Sequence, residues 1–313
     1  MKLQVSSSPH IRQQPSTRRI MLDVIIALVP ALFASLFIFG LQALAVVAVT
    51  VSSCVLTEYI CRKMMKRDNT IVDLSAVVTG LLLAFSLPPA IPLWICVIGA
   101  VVAIGIVKQM FGGIGNNFVN PAITARIILM ISFPLPMSTW TIPGNPIDLV
   151  TTATPLESLN RGFSNLPSYW DMLIGFKGGC LGEISVLALL LGAGFLLFRK
   201  VIKIWIPFSY IATVLLIIAI AGRDPLFHLL SGGLVLGAFF MATDYVTSPL
   251  TTKGKLIYGV GCGLITALIR LFGGMAEGVS YAILLMNILT PHIDRMTIPI
   301  PFGGGKKRAR QKV

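Results

Sequence analysis

Apolar stretches long enough to cross about 30 Å of hydrocarbon recur down this chain, each closed by a short basic, glycine- or proline-containing break. The pattern predicts ten membrane-spanning helices, near residues 22–40, 43–61, 73–87, 92–110, 120–134, 180–198, 203–221, 226–242, 255–272 and 278–293. The third and fifth are short, ended by Pro88-Pro89 and by Pro134 and Pro136. Between the fifth and sixth lies the longest stretch unable to span, 135–179. It holds a polar island, Thr151-Thr152-Ala153-Thr154-Pro155-Leu156. The pattern gives that island no helix to build and no core to fill, so it reads either as a Thr/Pro-rich loop or as a place of chemistry.

The predicted fold is an all-α polytopic membrane protein in three parts: 1–134, a cytoplasmic segment and five helices; 135–179, an extracytoplasmic segment; and 180–313, five helices and a basic tail. Composition agrees, since of 313 residues 55% are hydrophobic and 12% charged, against about 25% charged in soluble domains. The first 19 residues are polar and basic with no apolar h-region, so no secretory signal peptide is expected.

A net charge of +13 raises the question of nucleic acid, but the basic residues punctuate apolar runs instead of forming an aromatic-interleaved stripe. They fit a positive-inside membrane protein. With both termini in the cytoplasm, Arg18-Arg19, Arg62-Lys63, Lys66-Arg67, Arg199-Lys200 with Lys203, and the 306–312 cluster all fall inside. Arg161, Lys177, Arg223 and Arg270 fall outside, and Arg126 within a span. Cys54, Cys61, Cys96, Cys180 and Cys262 show no metal-ligand spacing, and His10, His228 and His292 are scattered, so no metal site is expected.

Phe111-Gly112-Gly113-Ile114 follows the fourth segment and Phe272-Gly273-Gly274-Met275 the ninth. Five spans per half is odd, so repeated halves would sit in opposite orientations, an inverted repeat with a site near the midplane. The alternative is chance recurrence in a glycine-rich chain.

Three places carry candidate chemistry. In Gly112-Gly113-Ile114-Gly115-Asn116-Asn117-Phe118-Val119-Asn120-Pro121-Ala122, glycines let backbone amides approach a ligand and a helix restarts at Pro121. Asn117 and Asn120 either offer amides to a planar heterocycle or cap a glycine-lined helix junction. Asn120-Pro121-Ala122 matches the aquaporin box, but the other half has no second copy. Asp73, opening the third segment, is read as a helix cap or as polar pocket lining. Asp23, Glu58, Lys108, Arg126, Asp244 and Glu277 are costly in or near hydrocarbon and so are candidates for function. The third place is the threonine island. Thr154 has no catalytic base beside it in sequence, so it is a modification site at most.

The chain resembles the NqrB/RnfD family, membrane subunits of the sodium-pumping NADH:quinone reductase and of the ion-translocating ferredoxin:NAD oxidoreductase (Rnf) complex. The match is carried by Ser8-Pro9-His10-Ile11-Arg12, Arg19-Ile20-Met21-Leu22-Asp23-Val24, the 73–89 and 111–126 stretches, Leu285-Met286-Asn287 and Thr290-Pro291. The resemblance implies a flavin-carrying electron-transfer subunit, not catalytic alone, in a bacterial inner (cytoplasmic) membrane complex coupled to Na⁺ or H⁺ translocation.

It further implies covalent FMN on Thr154 through a phosphoester, flanked by Ala153, Pro155 and Leu156 and attached by a flavin transferase. Thr151 and Thr152 stand where the family motif has Ser and Gly. The resemblance also implies a non-covalent riboflavin within the membrane, placed here at Gly112, Gly113, Asn117 and Asn120. Its partners would be the other subunits, including the extracytoplasmic RnfG and the membrane subunits RnfA and RnfE, together with lipid and no nucleic acid. A flavin-free transporter or channel on the same inverted repeat is the competing reading.

Overall fold

A computed structural model of the chain describes residues 16–141, 151–152, 154–160, 166–273 and 278–299. Ser8–Arg12, Ala153, Arg161, Gly274, Met275, Glu277 and the 306–312 basic cluster lie outside the described residues. In the first half, α1 (Thr17–Phe39) starts where Ser16 Oγ accepts the Arg19 N–H. Gly40, at φ +63°, turns the chain directly into α2 (Leu41–Met64). Then follow α3 (Ser75–Phe85), α4 (Leu93–Ala100), which runs on as a π-helix over Val101–Gln109, and α5 (Pro121–Ser132).

The connecting stretch holds α6 (Pro134–Met137), a ladder of β1 (Trp140–Thr141) with β2 (Thr151–Thr152), α7 (Pro155–Asn160) and α8 (Tyr169–Ile174). The second half has α9 (Val186–Phe198), α10 (Trp205–Ile220), α11 (Pro225–Leu230), α12 (Leu234–Leu236) continuing as π-helix over Gly237–Met241, α13 (Thr252–Phe272) and α14 (Val279–Thr297).

Among the described residues, α1, α2 and α13 are long and apolar enough to cross a membrane. The shorter apolar helices are α3, α4 with its π extension, α5, α9 and α10. Large apolar side chains such as Phe33, Phe37 and Phe198 stand mostly exposed on the outer faces. A lipid-facing surface requires that, because hydrocarbon, not water, surrounds it. The chain is a helical membrane protein.

Inside, α2 packs on α3 and α4, α10 on α13, α13 on α14, and α1 crosses α9. The α1–α9 approach is close because position 192 is glycine: a Cβ there would lie 2.0 Å from the Ala27 carbonyl oxygen. An Arg199–Asp23 ion pair (3.2 Å) ties the same two helices.

The structure corrects the sequence reading in several places. The sixth predicted segment begins as helix only at Val186, because the Leu181 and Gly182 N–H groups bond the Leu87 and Phe85 carbonyls (3.0 and 2.8 Å) instead of turning into a helix. The eighth is broken at Ser231–Gly233, where Gly232 takes φ +66°. Asp73 does not cap α3: the N-cap is Leu74, left-handed at φ 60° and without a side-chain cap bond. A 3-10 turn over Ile71–Asp73 delivers the chain to it.

The threonine island does build a helix and fill a core. Thr154 Oγ accepts the Glu157 N–H (3.2 Å) at the start of α7, and Thr154, Pro155 and Leu156 are buried. Helix periodicity over six residues is too short to be visible in the sequence.

Candidate functional site

Helices α1, α3, α5 and α9, the 114–120 loop and the π-helical end of α12 enclose a cavity of about 390 Å³. Much of its wall is apolar, with Phe239 and Phe240 from the π segment and Val78 and Leu82 from α3. Polar groups converge at Ser75, Thr79, Lys108, Asn117, Thr243 and Asp244. Volume and lining fall within the range of small-molecule pockets.

The helices that place these groups are the irregular ones. A π-helix carries about one extra residue per turn and marks functional sites more often than chance. Here one π segment ends at Lys108-Gln109 and the other at Met241, just before Thr243-Asp244. Both deliver polar side chains to the cavity rim.

Lys108 is not a loose charge. Its Nζ lies 3.0 and 3.1 Å from the two Glu58 carboxylate oxygens and 2.7 Å from Ser75 Oγ. Glu58, with no exposed surface, also accepts from Gln109 Nε2 (3.0 Å) and Thr70 Oγ (2.8 Å). Both oxygens of this buried carboxylate are thus met, which is the condition for keeping it charged in a dry interior.

The predicted ligand loop divides. Asn117 and Asn120 line the cavity, with Gly115 beside them. Gly112 and Gly113 do not line it. Gly113 takes φ +98°, and a Cβ there would meet the Arg62 guanidinium at 2.3 Å, so it makes room for an arginine instead of a ligand. Asn120 is both cap and tie. Its Oδ1 accepts the Ala122 and Ile123 N–H groups (3.0 and 3.3 Å), and its Nδ2 donates to the Met241 carbonyl (3.2 Å). With the Asn287 amide turned so that its oxygen accepts the Asn120 N–H (3.1 Å), the same residue also joins α14.

Asn120 therefore holds the α5 start against the end of a π segment, and its amide is spent on protein. Asn117 keeps more to offer, its one side-chain bond among the described residues being Nδ2→Val119 O (3.3 Å). Asn120→Ala should cost about 1 kcal/mol or more, the usual worth of an N-cap. Thermal unfolding of the purified protein would show it, and an unchanged midpoint would refute the tie.

Thr154 lies apart from the cavity lining. Its Oγ accepts one N–H and its carbonyl accepts the Ser158 N–H (2.8 Å), while the side chain is 5% exposed. Of its predicted neighbours, Pro155 and Leu156 stand beside it at the head of α7, and Ala153 is outside the described residues. Of the other candidate charges, Arg126 pairs with Glu183 (3.4 Å), Asp244 accepts from Thr247 Oγ (3.2 Å), and Glu277 lies outside the described residues. Glu183 is not legible as a site residue in the sequence, since no spacing links it to Arg126. Outside the predicted spans, the Tyr169 hydroxyl at the start of α8 donates to Asp224 and holds that carboxyl below its usual range.

Fold and cavity together define a helical integral membrane protein with a cavity between broken helices. The chain belongs to the NQR2, RnfD, RnfE family, whose pattern it matches over residues 4–303. It is 52% identical to the D subunit of the Na⁺-translocating ferredoxin:NAD⁺ oxidoreductase complex of Acetobacterium woodii, covering 100% of this chain and 99% of that protein. It is 45% identical to the D subunit of the proton-translocating complex of Clostridium ljungdahlii, over 96% of each chain. To the D subunit of the ion-translocating oxidoreductase complex of Stutzerimonas stutzeri the identity is 40%, over 92% of each.

Proposed function

We propose that this chain is the flavin-carrying, membrane-embedded electron-transfer subunit of an Rnf-type complex that couples ferredoxin:NAD electron transfer to Na⁺ or H⁺ translocation. The observation that carries the reading is the cavity, with a largely apolar wall and a few convergent polar groups, in a chain of this family. Isoalloxazine, when bound, supplies one- and two-electron redox chemistry, while protein supplies position and electrostatics. Phe239 and Phe240 suit the flat ring of riboflavin, Asn117 and Thr79 suit its polar edge, and the Lys108–Glu58 pair fixes the charge behind it.

Thr154 fits the role of FMN carrier in chemistry and demands an order of events. Its Oγ acts as an acceptor in the folded chain, so its proton is available to leave on ester formation. Its burial at the head of α7 means that the hydroxyl is reached before this segment packs, or by lifting it, which is work for a dedicated transferase. Thr152 pairs through its backbone with Trp140, one strand away.

The same reading puts ten spans in two inverted halves, 1–134 and 180–313, around the extracytoplasmic 135–179. Both termini lie in the cytoplasm, in the inner membrane of a bacterium. It draws support from the paired order of the halves, in which α1 meets α9 and α5 meets α14. Partners would be RnfG outside and RnfA and RnfE in the membrane. The two relatives named for different ions are both close to this chain over nearly its whole length, so overall similarity does not select the ion.

The test is in-gel ultraviolet fluorescence after denaturing electrophoresis, with the chain co-expressed with its transferase. Wild type should give a band that Thr154→Ala abolishes, while flavin released by acid from the native complex should remain in the variant. A colourless, non-fluorescent wild type would make the flavin-free transporter the better reading.

A further inference from the structure

Ser75 opens α3 and lines the cavity, buried to 5% exposure. Among the described residues its hydroxyl has one partner, the Lys108 ammonium at 2.7 Å. An ammonium has three N–H groups and no lone pair, so Lys108 donates in this contact and Ser75 Oγ accepts. The rest of the ammonium faces the Glu58 carboxylate oxygens, at 3.0 and 3.1 Å. Lys108 is thus fully engaged with protein although it borders the cavity. The Ser75 hydroxyl keeps its own proton, and no described residue accepts it.

One turn further along α3, Thr79 is turned the other way. Its hydroxyl donates to the Ser75 carbonyl (3.0 Å), so its oxygen has only lone pairs left for the cavity that it lines. Residues four apart share a helix face. Toward the cavity, α3 therefore presents a donor at Ser75 beside an acceptor at Thr79. Buried polar groups of this kind are costly unless a partner meets them. A ligand meets both when one edge of it carries a carbonyl oxygen and an N–H. The pyrimidine edge of isoalloxazine has that pattern, with an N–H between two carbonyls, whereas a quinone offers acceptors alone.

We propose that the Ser75 hydroxyl, aimed by Lys108, is the donor that recognises a ring carbonyl of the flavin. This rests on the flavin reading above and adds the residue that selects the edge of the ring. Lys108 is a positioning residue. By occupying a lone pair of Ser75 Oγ it leaves the hydroxyl proton to point into the cavity, and its charge strengthens that proton as a donor, because hydrogen bonds in a chain polarise one another. Glu58 holds Lys108 in place from behind.

The test uses the complete complex, depleted of acid-releasable flavin and titrated with riboflavin, 2-thioriboflavin and 4-thioriboflavin, with bound ligand measured by equilibrium dialysis. Ser75→Ala should bind riboflavin roughly tenfold more weakly, the worth of one hydrogen bond. Sulfur is a weak acceptor, so one of the two analogues, altered at the bonded carbonyl, should bind wild type roughly tenfold more weakly than riboflavin does. That analogue should lose nothing further in Ser75→Ala, while the other loses as much as riboflavin. A merely structural role for Ser75 would weaken all three ligands alike.

Equal riboflavin binding by wild type and Ser75→Ala would overturn the proposal, as would an equal loss for all three ligands. Wild type that takes up no riboflavin would remove the flavin reading and this proposal with it. Should Ser75→Ala fail to accumulate, Ser75→Cys keeps the shape of the side chain and only a weak donor. It should show the same ligand-selective loss, and wild-type binding of riboflavin in that variant would equally overturn the proposal.

Discussion

The complex carrying Lys108→Ala should melt far below wild type. The substitution strips the counterion from Glu58, a carboxylate with no exposed surface. Removing one member of a buried pair costs about 3–5 kcal/mol, because the survivor stays buried and uncompensated. Thr70 and Gln109 still donate to Glu58, so the charge is not left bare, and the loss should sit in the lower part of that range. Glu58→Ala removes the acceptor shared by three side chains and should be at least as damaging.

The double variant Glu58→Leu, Lys108→Met separates charge from packing. Replacing a whole buried pair by apolar groups of similar size is often close to neutral. It should therefore recover most of the stability lost in either single variant. Fluorescence-detected size-exclusion melting curves of the three variants decide it, and a double variant melting as low as the worse single one would sink the argument. Because Lys108 also lines the cavity, the double variant should be stable yet retain less acid-releasable flavin.

A single methyl group at position 192 should be nearly as harmful. The Ala27 carbonyl oxygen that a Gly192→Ala side chain would meet at 2.0 Å belongs to the backbone of α1 and cannot turn aside. Helices α1 and α9 would have to part, weakening the Arg199–Asp23 bond at their far end. Overpacking of this kind costs about 1–3 kcal/mol. Gly194, two residues on in the same helix, has open space where its Cβ would stand. There Gly→Ala should be neutral or slightly stabilising, since alanine is the better helix former by about 1 kcal/mol. Equal melting points for the two variants would mean that the helices do not touch at Gly192.

Apolar runs are enough to place helices such as α1, α2, α10 and α13, because hydrocarbon-length periodicity survives in a single sequence. The breaks are harder to read. Nothing in Cys180-Leu181-Gly182 says that its amides serve the end of α3 instead of starting a helix, since the carbonyls it meets are distant in the chain. The island around Thr154 looks coreless in sequence because a six-residue helix leaves no periodicity to read. In the ligand loop, residue type locates the right stretch, and Asn117 and Asn120 do reach the cavity. Its glycines point to the wrong neighbour: what Gly113 accommodates is Arg62, set 51 positions earlier, and no local spacing announces it. Lys108 can be suspected from its cost in hydrocarbon, but its pairing with Glu58 requires the fold.

The shortness of α3 imposes an order on biosynthesis. Eleven residues make about 16 Å of helix, roughly half the hydrocarbon thickness. The amides that complete it, at Leu181 and Gly182, are translated only after the whole 135–179 stretch. A nascent chain halted before Cys180 thus carries a half-length helix with open carbonyls in lipid, unable to rest as a finished span. The first five helices are not a module that matures alone and waits for the rest. They become a stable membrane structure when the second half arrives, and fragments or split genes cut at the apparent midpoint would be recognised by the cell as unfinished.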